Sequence, residues 1–418
     1  MYLWGHAQNG RMGIPGVSYG IESPMLFVPL SDRPISNLYA GGWSYMALDH
    51  KGRLYAWGAM NGGYRSHHYN GFESIGKTSE RPLRLEMPDL LKSVSCGRAH
   101  AAALDVRGHV WMFLNWGQPF WFSTRLLDNT SPESTPIQVV SSWDCSAILT
   151  ESGSVLVLWL DERRIFTSSI ENEPVRATDH IIQCSILEAC QEPFLLPSIP
   201  GLPLLYETDS PDSLEVVTKL VKIAAMNGAL IGLTDKGHVL KMNNFASGQS
   251  HYEWTYLPQF SEPARISSYL TSSLNEPGNI PPRDIRMTDI VAQHLQFYAF
   301  TSHENTIVLR GNKTTNPSTA PDIIPQLSYK GVKSISIGDY HCIALTVYGK
   351  VYTWGRNLEG SLGFQAEGTG DHPPTEVVIP LNNGFCIGAT AGGWHTGVLA
   401  IELNGIDDTS MGNEPWRT

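Results

Sequence analysis

Apolar residues along this chain come in short runs with strand-like alternation, not at the three-to-four-residue spacing of an amphipathic helix. The runs are grouped. An apolar run meets a glycine-rich break, a second short run follows, a turn ending in glycine intervenes, and a third run closes on Trp-Gly. This pattern predicts antiparallel strands joined by tight hairpins. It also recurs, and recurrence at a fixed spacing signals a repeat architecture. The clearest copies are LYAGGWSYMALDHKGRLYAWG (38–58), VSCGRAHAAALDVRGHVWMFLNWG (94–117) and SISIGDYHCIALTVYGKVYTWG (334–355). Weaker copies occupy 139–159, 221–242 and 289–311, and a seventh, CIGATAGGWHTGVLAIEL (386–403), lacks the Trp-Gly run.

The register of the copies agrees. In five of them a leucine is followed four residues later by glycine: Leu48/Gly52, Leu104/Gly108, Leu149/Gly153, Leu233/Gly237 and Leu345/Gly349. Glycine there suits a hairpin turn that needs positive φ. The opening YLWG (2–5) matches the YAWG and YTWG ends of complete copies, so it supplies the strand that the seventh copy lacks. The chain is therefore expected to be an all-β, seven-bladed β-propeller over 1–403, closed by pairing of the N-terminal strand with the C-terminal blade. Closure removes the exposed edges of an open sheet. An insertion at about 161–219 carries Pro174, Pro193, Pro197, Pro200, Pro203 and Pro211 and reads as irregular, with a short helix at LEVVTKLVKI. A second loop separates the fourth and fifth copies, and the polar tail 404–418 reads as loose.

Composition narrows the function. The 39 glycines, 27 prolines and 12 tryptophans, with only 17% charged residues, disfavour a coiled coil, a disordered chain or a helix bundle. A net charge of −11 argues against a phosphate-gripping surface, so no nucleic-acid partner is expected. No apolar run is long enough for a helical membrane span, and MYLWGHAQNGRMG is not a signal peptide. The expected location is cytoplasmic, nuclear or both, with the six cysteines as free thiols, since no C-x-x-C pair occurs.

The G-x-x-H, A-L-T and G-x-V-Y-x-W-G run in GDYHCIALTVYGKVYTWGRNLEGSLG (338–363) resembles the regulator-of-chromosome-condensation repeat family. Within it, AGGWSYMALDHKGRLYAWG, CGRAHAAALD with WMFLNWGQPF, TPIQVVSSWDCSAILTESG and IAAMNGALIGLTDKGHVL are similar to the fungal SCF-associated factor group. That resemblance implies a substrate receptor of a cullin-based ubiquitin ligase, whose propeller recognises a protein bound for proteasomal degradation. In that group an N-terminal F-box holds the Skp adaptor. Here the sequence starts at the first propeller strand, which reads as a truncated gene model, a paralogue without the F-box or a member using another adaptor; Skp adaptor and cullin are expected partners if an F-box is supplied outside this chain. The founding family implies the alternative, a guanine-nucleotide exchange factor or regulator of a small GTPase.

Four residues before each repeat leucine or its equivalent stand Ser44, His100, Cys145, Ala229, Gln296, His341 and His395. A metal or catalytic ring is one reading. Polar ties between blades are the favoured one, because the histidines lie on different blades without a close-spaced ligand pair. His67-His68 reads as a solvent loop. G-x-S-x-G and G-x-x-x-x-G-K-[ST] are absent. The expectation is a non-enzyme with no cofactor and no metal. The residues just before the ring are rich in side chains that dominate protein interfaces: Trp43, Arg98, Trp143, Asp144, Asn227, His294, Asp339, Tyr340 and Trp394. They are expected on loops at one mouth of the propeller as a protein-docking face. Trp116, Phe120, Trp121 and Phe122 form a second candidate, since one strand face cannot bury all four: they are expected either as an exposed partner-binding patch or as covered by the long insertion. The tryptophans of the Trp-Gly pairs (Trp4, Trp57, Trp116, Trp354) read as packing between blades.

Overall fold

In the computed structural model the described residues are 1–59, 78–114, 116–143, 145–159, 177–178, 180–188, 192–206, 218–243, 245, 251–273, 285–302, 305–366, 368 and 370–403. They form seven antiparallel-cored sheets, one per repeat. Blade one holds Ile35–Ala40, Ser44–Asp49, Leu54–Ala59 and Thr78–Glu86; blade two, Leu91–Cys96, Ala101–Asp105, Val110–Phe113 and Phe120–Trp121. Blade three holds Pro136–Ser141, Cys145–Thr150, Val155–Trp159 and Phe194–Leu195; blade four, Leu220–Met226, Ala229–Thr234, Val239–Asn243 and Trp254–Tyr256. Blade five runs from Asp289–Gln293 through Gln296–Phe300 and Val308–Asn312 to Asp322–Ile323, and blade six from Val332–Ile337 through His341–Thr346 and Val351–Arg356 to Asp371–Val377.

Blade seven is composite. Its inner strands Gly384–Gly392 and His395–Glu402 come from the C-terminal part, and its outer strands Tyr2–Gly5 and Ile21–Leu26 from the N-terminal part. Tyr2 pairs with Val398 and Gly5 with His395. Successive side chains of a strand point to opposite faces. Tyr2 and Trp4 therefore enter the core shared with blade six, while Leu3 enters the core shared with blade one.

No single central core exists among the described residues. Seven hydrophobic clusters fill the seven seams between neighbouring sheets. This explains the sequence pattern: second strands such as Cys145–Thr150, Ala229–Thr234 and His341–Thr346 are buried along their whole length, being covered on both faces. Trp4, Trp57, Trp116 and Trp354 each sit in a seam. All five turn glycines have positive φ, from 70° at Gly349 to 92° at Gly153.

The long insertion is partly ordered. Ile181–Gln183 adds in parallel to Thr78–Glu86 of blade one, Leu187–Glu188 adds in parallel to Phe120–Trp121 of blade two, and Phe194–Leu195 completes blade three. A proline-rich strap then reaches blades four and five, where His238 Nε2 is hydrogen-bonded with Pro203 O (2.7 Å) and Tyr206 Oη donates to Ile285 O (2.6 Å). The described end of LEVVTKLVKI is strand from Leu220 onward, not helix. The segment between blades four and five, read as loop, carries strand Trp254–Tyr256 and helix α1 (Pro263–Ser273). Ile266 and Leu270, one turn apart, pack fully buried in the seam between blades four and five. His67, His68, Asp144 and the tail 404–418 lie outside the described residues.

Candidate functional site

The ring singled out in the sequence stands at the start of each second strand, His100 directly before its strand and the others as the first strand residue, and the structure shows how it binds blades together. His100 Nε2 is hydrogen-bonded with Ser146 Oγ of the next blade (3.0 Å), and His341 Nε2 with Thr396 Oγ1 (2.8 Å). Gln296 Nε2 donates to Cys342 Sγ (3.4 Å), and the His395 ring meets Tyr45 edge-on at 4.6 Å. In every case the residue reaches the position one step further along the neighbouring blade. These histidines are fully buried. Burial pushes His100 and His341 down to about 4 and His395 well below the ordinary imidazole value, so all three are neutral at pH 7. The His100–Ser146 pair has the atoms of a nucleophile and its base, but Ser146 is 0% exposed, sealed in the seam between blades two and three. Gly97 and Gly338 in the Gly-x-x-His signature have a local cause: each amide donates to the carbonyl of its histidine (2.8 Å), and a Cβ at either would collide with that imidazole ring.

Directly before this ring, the mouth loops are locked edge to edge by backbone bonds. Gly42 N donates to Arg98 O (3.1 Å), Arg98 N to Ser142 O (3.1 Å), Asn227 N to His294 O (2.8 Å) and Asp339 N to Gly393 O (2.9 Å). The side chains projecting from these loops form a belt. The Arg98 guanidinium lies 5.0 Å from the Trp43 ring and 3.5 Å from that of Trp143. Trp143 stacks on His294 (4.9 Å), His294 meets Tyr340 (6.1 Å), and Tyr340 meets Trp394 (6.5 Å). The sequence-derived face is thus contiguous for Trp43, Arg98, Trp143, His294, Tyr340 and Trp394. Trp143 and His294 belong to blades three and five, so the belt passes the intervening blade. Asn227 joins through its backbone, and Asp339 lines a cavity beside Tyr340. Tyr340 is 43% exposed and the others are half-buried, which leaves ring area open to a partner.

Two members were missed in the sequence. His6 packs edge-on against Trp394 (5.4 Å), and Arg356 lies over Tyr340 (5.9 Å). Both directly follow the glycine of a Trp-Gly pair, and that spacing was available as a signal. His6 N donates to Trp394 O (2.9 Å) and Arg356 N to Tyr340 O (2.8 Å), just as Ala59 N donates to Trp43 O (2.9 Å).

Of the two readings of the second aromatic patch, cover by the insertion is the one that the structure shows. Trp116, Phe120 and Phe122 are buried, and Trp121 is half-buried against Trp111 and His109. They fill seams one–two and two–three, and the insertion covers their edge: Phe120 pairs with Leu187, and Ser185 N donates to Gly117 O (3.0 Å).

Inner strands line a channel cavity of about 270 Å³. Several of its polar groups are engaged between blades: Gln138 makes paired bonds to Ile223 N and O (2.9 and 3.0 Å), Lys222 pairs with Asp289, and Ala391 N donates to Ser336 Oγ (2.9 Å). Burial pushes the Cys96, Cys184 and Cys342 thiols up to about 12, which keeps them protonated. The cluster Asp89, Asp105 and His109 has the donor set of a cation site. Asp105 there closes a hairpin, accepting from Arg107 N, His109 N, His109 Nδ1 and Trp111 Nε1, while Asp89 pairs with Arg107 (2.9 Å). Among the described residues no helix is long and apolar enough to cross a membrane.

Comparison with known proteins agrees with this geometry. Models of the regulator of chromosome condensation (RCC1) repeat match residues 332–361 and 348–399. The fold superposes on yeast Prp20p with a TM-score of 0.62 at 14% identity, covering 96% of this chain and 91% of that one. The chain is a seven-bladed β-propeller that carries RCC1 repeats over residues 332–399. Human WBSCR16 has the same fold (TM-score 0.59, 17% identity, 96% and 98% coverage). Among curated relatives, SCF-associated factor 1 of Saccharomyces cerevisiae is 33% identical over 109 residues, 22% of this chain and 17% of that protein. Protein RCC1 of Candida albicans is 56% identical over 36 residues, 9% of this chain and 8% of that protein. Human "Probable E3 ubiquitin-protein ligase HERC3" is 35% identical over 97 residues, 22% of this chain and 9% of that protein. The matched stretches thus span well under a fifth of these relatives' own length.

Proposed function

We propose that this RCC1-type propeller is a non-catalytic protein-binding module, the substrate-recognition part of an SCF-type (cullin) E3 ubiquitin ligase that directs proteins to proteasomal degradation. The observation that carries the binding half is the contiguous belt from Trp43 through Arg98, Trp143, His294 and Tyr340 to Trp394. Aromatic and arginine side chains held rigidly at a surface are the residue types that dominate protein interfaces. Support for the ligase half is the similarity to SCF-associated factor 1. In this reading the mouth grips the protein to be ubiquitylated, and an F-box outside the propeller holds the Skp adaptor. Affinity purification of the native gene product is expected to bring down Skp and cullin with the bound protein. Recovery of neither would refute the ligase assignment.

The alternative, exchange or regulation of a small GTPase, draws support from the match to Protein RCC1. It predicts retention of a GTPase that strengthens once bound nucleotide is stripped with EDTA.

A further inference from the structure

Between blades five and six, beside the His294–Tyr340 stretch of the belt, a cavity of about 280 Å³ opens among His294, Arg310, Asp339, Tyr340, Arg356 and Asp371. Its two arginines are matched by carboxylates: Arg310 Nη2 lies 3.0 Å from Asp322 Oδ2, and Arg356 Nε 3.3 Å from Asp371 Oδ1. Asp339 is in no ion pair among the described residues. Its amide bond to Gly393 O fixes the loop that carries it. The His294 imidazole feels this carboxylate: burial lowers its pKa, Asp339 raises it and Arg98 lowers it, and the net direction is down, so the ring does not neutralise Asp339 at pH 7. Asp339 is thus a carboxylate outside both ion pairs, beside an exposed phenol ring. A carboxylate next to an aromatic surface is the chemistry that receives a guanidinium or ammonium with its apolar stem. The chain's net charge of −11 favours approach of a basic partner segment.

We propose that this cavity takes one basic side chain, arginine or lysine, of the docked protein, with Asp339 accepting its charge and Tyr340 covering its methylenes. The inference rests on the mouth being the docking face.

The probe is the capped peptide Ac-Ala-Arg-Ala-NH2, titrated into the full chain and followed by ligand-observed NMR, with citrulline and glutamate peptides as counterparts. Saturable binding of the arginine peptide is expected, weakened about tenfold by Asp339→Asn, the scale of one charge-assisted bond. Asp339→Glu is expected to retain binding, and the citrulline peptide to show none. Equal binding of citrulline, an unchanged Asp339→Asn titration, or preference for the glutamate peptide overturns the inference, the last by assigning the cavity to Arg310 and Arg356. Partner capture by Trp394→Ala separates the two levels. If that change abolishes capture while Asp339→Asn neither weakens capture nor alters peptide binding, the docking face stands and the basic-side-chain inference falls. Capture indifferent to both changes removes the docking face itself.

Discussion

The carbonyl of Trp43 accepts a hydrogen bond from the amide of Ala59 (2.9 Å), and the glycine between that amide and Trp57 touches the same carbonyl. A Cβ on Gly58 would lie 2.6 Å from Trp43 O; at Gly355 the distance to Tyr340 O would be 2.4 Å, and at Gly5 the distance to Trp394 O 2.5 Å. The Trp-Gly pair therefore does two things: tryptophan fills a seam, and glycine lets the mouth aromatic of the same blade sit down on the sheet. With φ of 93° and 100°, Gly58 and Gly355 are also in the left-handed region. Gly58→Ala and Gly355→Ala are each expected to cost about 1–3 kcal/mol. They should also displace Trp43 or Tyr340, which near-UV circular dichroism and a melting curve will register. An unchanged Tm would contradict this role.

The buried histidines make stability depend on pH. Folded His100 and His341 titrate near 4, against 6.5 for the free side chain, so the unfolded chain takes up these protons first. Their contribution is whole above about pH 6.5 and is lost progressively as pH falls toward 4. Near pH 5.5 the loss is on the order of 1 kcal/mol per histidine. Urea midpoints at pH 7.5 and 5.5 should differ accordingly. The difference should shrink in a His100→Gln, His341→Gln double variant, even though that variant is less stable at pH 7.5.

Lys241 is a fully buried cation. Its Nζ donates to Asn312 O (3.2 Å), Lys313 O (2.6 Å) and Thr315 O (2.8 Å), which ties blade four to the loop after the third strand of blade five. Burial and the neighbouring Lys313 push its pKa down to about 8, so it remains charged at neutral pH. Lys241→Met keeps the stem but strands three carbonyls, at a cost of about 1–3 kcal/mol or more. Hydrogen exchange should rise first at residues 312–315.

Ring closure depends on Trp4, which is fully buried and donates from Nε1 to Ser361 O (2.9 Å) in blade six. Trp4→Ala is expected to lower stability by about 3–5 kcal/mol. The same change at Trp121, half-buried at a blade edge, should cost clearly less. Equal losses would mean that the N-terminal strand does not fasten the ring.

Sequence patterns carried most of the fold because a propeller repeats one local unit. The Leu48/Gly52 register and the Trp-Gly ends identify hairpins whose contacts lie within about 20 residues. The mouth face followed from counting back from His100, His341 and His395. What local patterns did not carry is packing between distant segments. Phe120 lies 67 residues from its partner Leu187, and nothing near Phe120 announces the strand that covers it. Ile266 and Leu270 share a helix face, but α1 is only 11 residues long, too short for its spacing to stand out from the surrounding turns.

The belt at the mouth is proposed to capture a protein partner. Its most direct test is the triple variant Trp43→Ala, Arg98→Ala, Trp394→Ala, measured for partner capture beside a melting curve. Loss of capture, with a cooperative transition retained at the assay temperature, is the predicted result. Undiminished capture by the folded triple variant would contradict the account.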